Sequence, residues 1–95
     1  MIRLDKFLKL SRLVKRRTVA QEMLEVGAVK LNGKTVKPSK EVREGDTVEI
    51  GYARKILTLR VLAADELLLK RKAEAYEVIS EKSVEQDEGK RQKGF

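Results

Sequence analysis

Apolar positions recur at helical spacing near the start of the chain and alternate further along it. Leu4, Phe7 and Leu8 stand at i, i+3 and i+4, which predicts a short helix from Ile2 that gives way near Ser11. Arg3, Lys6 and Lys9 fall off that stripe and face outward. Asp5 lies in the first turn, where the helix dipole favours an acid. Val19, Ala20, Met23 and Leu24 make a second stripe and predict a helix from about Arg16 to Val26. Gly27 follows it, at the place where a left-handed glycine commonly ends a helix. Phe7, Leu8, Met23 and Leu24 are the expected core of this helix pair.

Beyond Gly27 the period changes to two. Val29 and Leu31 alternate with Lys30, and Asn32-Gly33 is a strong two-residue hairpin signal, since both positions tolerate positive φ. Lys30, Lys34 and Lys37 are expected on the exposed side of the hairpin, which Pro38-Ser39 ends. Val42 to Asp46 reads as a turn. Thr47–Ile50 and Ile56–Leu62 read as strands, with a turn from Gly51 to Lys55. Ala63 to Ala75 is rich in Ala, Leu, Glu and Lys and predicts a helix. Tyr76 to Ile79 reads as a short closing strand. From Glu81 to Phe95 little is available to bury, and a flexible charged tail is expected. The fold class these elements predict is α+β: two short helices packed on a small antiparallel sheet, with a C-terminal helix and strand as an extension.

Composition narrows the chemistry. The chain has 95 residues, enough for one small domain, with 39% charged and 41% apolar residues. It contains no Cys and no His, so disulfides, a Ser-His or Cys-His nucleophile system and a zinc site are not expected. The lack of Cys fits a reducing, cytoplasmic setting. No apolar run approaches the ~20 residues of a membrane span, and no signal-peptide pattern is seen. There is no Walker-type loop and no dinucleotide fingerprint. Asp5, Glu22 and Glu25 are explicable as solvated helix acids, and Glu44 with Asp46 as ordinary turn acids. The residues ask for neither an enzyme nor a cofactor.

Charge position points elsewhere. There are 22 Lys and Arg against 15 Asp and Glu, a formal net charge of +7. Residues 1–40 hold eleven cations and three acids, a net of +8, whereas residues 41–95 hold eleven cations and twelve acids, a net of −1. A block of one sign marks a polyanion site more often than a merely soluble surface. Lys15, Arg16 and Arg17 crowd the start of the second helix, where the dipole disfavours each cation by ~0.3–1 kcal/mol. Backbone N–H groups beside cationic side chains make a phosphate seat. Thr18, Gln21 and Asn32 are polar neighbours able to reach sugars or bases. Only four aromatic residues are present, so a platform of stacked bases is not expected and shape recognition of folded RNA fits better. A protein-interaction module for an acidic partner is the competing reading, and membrane-surface binding a weaker one. Blander roles also exist for single residues. Lys9 and Arg12 can be plain solvated charges, Asn32 a turn former before an RNA contact, Thr18 a packing or capping residue, and Asp5 a complement to the dipole or a guide for Arg17.

The combination Arg3-Leu4-Asp5-Lys6-Phe7-Leu8, Arg17-Thr18-Val19-Ala20, Gly27-Ala28-Val29-Lys30-Leu31-Asn32-Gly33 and Gly45-Asp46 resembles the S4 (S-four) RNA-binding domain over roughly residues 2–62. The resemblance implies a helix pair on a small antiparallel sheet that grips structured RNA, with RNA contact at Arg3, Lys6, Lys15, Arg16, Arg17, Lys30 and Lys34. Lys9, Arg12, Thr18, Gln21 and Asn32 complete the candidate surface. Residues 63–80 then form a C-terminal helix and strand, and residues 81–95 the tail. Among small stand-alone proteins with this module, the run from Arg3 to Thr18 is similar to the ribosome-associated quality-control P-site factors. The heat-shock branch, a large-subunit recycling group, typically has tryptophans in its first helix, and this chain has none. The resemblance implies a monomer that binds large-subunit rRNA and P-site tRNA on stalled large ribosomal subunits. It would act beside a partner factor that extends the nascent chain without a template.

Overall fold

The computed structural model describes residues 1–71 and 74–83. The elements in order are β1 (Ile2–Arg3), α1 (Leu4–Leu10), α2 (Arg17–Glu25), β2 (Val29–Leu31), β3 (Lys34–Thr35), β4 (Glu41–Val42), β5 (Thr47–Gly51), β6 (Lys55–Val61), α3 (Glu66–Lys70) and β7 (Tyr76–Ser83). Five strands form an antiparallel sheet in the order β3-β2-β5-β6-β7, and β1 pairs with β4 as a separate two-stranded ribbon. The α+β class and the antiparallel sheet expected from the sequence are both present.

The buried face follows from the two periods. Leu4, Phe7 and Leu8 of α1, with Ala20 and Leu24 of α2, are buried together with the alternating Val29, Leu31, Val48, Ile50, Leu57, Leu59 and Val61 of the sheet. Phe7 is fully buried, and its truncation to Ala would cost ~3–5 kcal/mol. The second stripe is narrower than its spacing suggests. Val19 is 40% exposed and Met23 only partly buried, so neither is a true core residue.

The ends of the helices show how local sequence is overridden or used. No side chain caps α1; instead the Leu4 and Asp5 N–H groups donate to the Lys40 and Pro38 carbonyls at 2.8 and 3.3 Å. The ribbon that brings those carbonyls in, with Ile2 opposite Val42 and Arg3 opposite Glu41, was not expected from the sequence. Two-residue strands carry no periodicity to read. Past the C-cap Ser11, Arg12 takes φ 67°, the left-handed conformation usually given to Gly and costing an L-residue ~1–2 kcal/mol. α2 ends as predicted: Gly27 has φ 79°, and Gly27 and Ala28 N–H donate to the Leu24 and Met23 carbonyls in a Schellman arrangement. The Asn32-Gly33 turn has φ 51° and 84°, the primed turn that the dipeptide predicts.

The C-terminal extension differs from expectation. The helix expected over Ala63–Ala75 is confined to Glu66–Lys70. A 13-residue helix is ~20 Å long. Here the Leu62 and Ala63 N–H groups donate to the Ala75 carbonyl at 2.9 and 3.2 Å, so the two ends of the segment meet and leave room for one short helix. Asp65 caps it by accepting from the Leu67 and Leu68 amides at 2.8 and 3.4 Å. β7 is longer than the strand expected over Tyr76–Ile79. It runs to Ser83, where Glu81, Lys82 and Ser83 pair with Leu57, Ile56 and Lys55 of β6. Three residues of the expected tail are therefore sheet, because the long β6 offers an edge to pair with. The rest of that tail lies outside the described residues.

Candidate nucleic-acid interface

One acid organises the basic face. Asp5 is completely buried on the first turn of α1, not solvated as the helix pattern suggested. Its Oδ2 accepts from the Gln21 amide at 2.9 Å and from an Arg3 guanidinium nitrogen at 3.1 Å. The Arg17 Nε lies 3.3 Å from the same oxygen, an ion pair whose N–H is not well aligned for a hydrogen bond. Burial pushes the Asp5 carboxyl up. The Gln21 bond and the Arg17 and Arg3 charges outweigh it and hold the carboxyl below its ordinary value. Asp5 thus joins the start of α1 to the first two turns of α2 and fixes Arg3 and Arg17 side by side. Both arginines keep their outer parts in solvent, with 45% and 40% of the side chain exposed.

The other candidate residues fall into groups around that node. Lys15, Arg16 and Thr18 are exposed at the start of α2, which begins without a side-chain cap and without an acid in its first turn. Arg3 also lines a cleft of about 670 Å³ with Lys40, Arg43 and Asn32, so the hairpin tip and the start of α1 share one surface. Lys30 and Lys34 are exposed along the hairpin. Lys40 and Arg43 are basic residues of this cleft that periodicity did not single out; Lys40 belonged to the positive block, but only the β1–β4 ribbon brings it beside Arg3.

Three candidates are engaged internally. The Gln21 amide is committed to Asp5. Asn32 locks the hairpin tip to β5, its Oδ1 accepting from Thr47 N–H at 2.9 Å and its Nδ2 donating to Asp46 Oδ1 at 3.2 Å. Lys6 turns toward α3 and meets Glu66 at 2.6 Å. Lys70 reaches the other oxygen of Glu66 at 2.9 Å, and the two lysines hold that carboxyl down to about 2. Lys9, in the last turn of α1, and Arg12, just past its C-cap, stand apart. No group of three potential metal ligands occurs among the described residues. No helix among them is long and apolar enough to cross a membrane.

A helix pair bearing cations, packed on an antiparallel sheet whose hairpin shares its surface, defines an S4-domain protein, and the S4 domain profile matches residues 2–48. That span ends within β5, short of the residue-62 limit that the motifs suggested. The chain belongs to the family of RQC P-site tRNA stabilizing factors. The member from Streptococcus pneumoniae is 44% identical over 87 residues, covering 90% of this chain and 99% of the relative. The one from Halalkalibacterium halodurans is 41% identical over 88 residues, covering 92% and 100%. Among solved structures, a trimeric structure of heat shock protein 15 from Vibrio cholerae superposes with a TM-score of 0.71 at 28% identity, covering 83% of this chain and 82% of that one.

Proposed function

We propose that this chain is a non-enzymatic RNA-binding factor that grips large-subunit rRNA and P-site tRNA together. It would hold the tRNA on a stalled large subunit while a partner factor extends the nascent chain without a template. The observation that carries this reading is the basic face built on Asp5, where Arg3 and Arg17 are fixed beside Lys15 and Arg16 at the uncapped start of α2. Its mechanism is electrostatic. Two RNA backbones repel, and cations held between them lower that cost and set their relative position. Membership of the family supports the tRNA assignment, and the wide spread of cations supports two RNA partners rather than one.

The test uses Lys15→Ala with Arg16→Ala, because both are exposed and neither touches Asp5. The double variant is expected to keep its circular dichroism and melting temperature and to lose co-sedimentation with large subunits. Affinity of the unaltered protein should fall with salt by ~0.7–0.9 log units per log unit for each phosphate neutralised. Retained co-sedimentation at physiological salt, or a flat salt response, overturns the assignment. Nuclease treatment separates it from docking on an acidic protein, which would survive digestion.

A further inference from the structure

A cavity of about 400 Å³ opens between the end of α1, the end of α3 and the start of β7. The Lys6–Glu66 pair joins the two helices about one turn before the cavity. Lys9, Arg12 and Lys70 line it together with Leu10, Leu69 and Tyr76. Among the described residues no carboxylate lines it. Lys70 shares Glu66 with Lys6, but Lys9 and Arg12 enter no ion pair among the described residues. Arg12 also sits in the left-handed conformation where Gly is the residue of least strain, so the guanidinium stands here against backbone preference.

We propose that this cavity is a second RNA subsite, taking a backbone phosphate on Lys9, Arg12 and Lys70 and the adjoining unpaired base against Leu10 and the Tyr76 ring. The chemistry is mixed in the way a nucleotide is mixed. Cations match the phosphate, and apolar lining residues with one aromatic side chain among them match a base, for which stacking is sequence-tolerant. A bare anion would leave the apolar lining unused. The volume lies within the ~300–1,000 Å³ of small-ligand sites. Tyr76, Leu69 and Lys70 lie beyond the residues that match the S4 domain, so the C-terminal extension would add a contact that the module alone lacks. The proposal rests on the reading that the chain binds RNA.

The experiment compares Lys9→Gln/Arg12→Gly with Arg54→Gln/Lys82→Gln, which removes two charges away from the cavity. Binding of a tRNA transcript and of a single-stranded RNA dodecamer carrying 5-iodouridine is followed by fluorescence anisotropy across a salt series. The cavity variant should lose about tenfold or more in affinity for at least one probe, with a salt slope shallower by ~1–2. The control should change by less than threefold. Irradiation should crosslink the dodecamer to Tyr76. Arg12→Gly relieves the backbone, so the single variant should melt no lower than the unaltered protein while still binding more weakly. Equal losses in the cavity variant and the control, or a dodecamer that crosslinks elsewhere, overturn the subsite. If the unaltered protein binds neither probe nor large subunits, the RNA-binding reading falls with it. If Lys15→Ala/Arg16→Ala loses binding and the cavity variant does not, the subsite alone falls.

Discussion

Replacing Asp5 by Asn tests whether one buried carboxylate holds the basic face together. The amide has the same shape and can still accept from Gln21, so little volume is lost. What goes is the charge. A hydrogen bond to a charged group contributes ~1.5–3 kcal/mol against ~0.5–1.5 for a neutral one. The difference applies to the 2.9 Å Gln21 bond. The pairs with Arg3 and Arg17 are half open to solvent at the guanidinium end, so each is discounted to ~0.2–1 kcal/mol. Relief of carboxylate desolvation returns part of this. The net expectation is a loss of about 2 kcal/mol, or ~8–16 °C in melting temperature for a domain of this size. The pH dependence has a definite sign. The folded carboxyl titrates below its ordinary value of 3.8, so its stabilisation is complete above that value and is lost as pH falls through the folded one. Urea unfolding of both proteins between pH 7 and pH 2.5 should show a constant gap down to about pH 4 that then closes. A gap under ~0.5 kcal/mol at pH 7, or one that does not narrow in acid, refutes the organising role.

Two further outcomes are expected. Glu66 should titrate near 2 by NMR, and Glu66→Gln should speed amide exchange in α3 while leaving the sheet protected, because the Lys6 pair to that carboxylate ties α3 to α1 and the Lys70 pair braces α3 itself; unchanged exchange would show that α3 is held by its apolar packing alone. Asn32→Ala should destabilise by ~1–3 kcal/mol in thermal melts, since it strains a left-handed residue and removes two side-chain bonds, to Asp46 and to Thr47 at the start of β5, whereas Gly33→Ala meets nothing within 4 Å and should lose only the ~1 kcal/mol of backbone strain.

Local signals were read well where one interaction dominates. The hairpin at Asn32-Gly33 and the Gly27 stop depend on φ preference alone, and both stand where the residues put them. The burial of Phe7 and Leu8 followed from the period of their helix. The Asp5 site was only half legible. Its spacing to Arg17 fixes no distance, and an acid in a first turn looks the same whether solvated or buried. What decides is the crossing of α1 and α2, which the six-residue connection between them does not encode. Lys6 and Gln21 looked like outward-facing contacts for the same reason, yet each has a partner contributed by another helix. The Ala, Leu, Glu and Lys content of Ala63–Ala75 made the extension look like a long helix, while the closure of Leu62 and Ala63 on Ala75 shortened it.

The pairing of Ile2–Arg3 with Glu41–Val42 has a consequence for the order in which the chain is made. An isolated helix of seven residues is far shorter than the ~12–15 needed for even marginal stability in water. α1 finds acceptors for its first amides only in Pro38 and Lys40, which are synthesised after the whole helix pair and the hairpin. During translation α1 therefore lacks these acceptors until Pro38 and Lys40 have been made. β4 then closes the ribbon, while the apolar face of α1 still waits for β5 and β6, whose Val48, Ile50, Leu57, Leu59 and Val61 complete the core. A fragment ending before residue 38 leaves the start of α1 without acceptors, and one ending before β6 leaves Phe7 and Leu8 without their sheet.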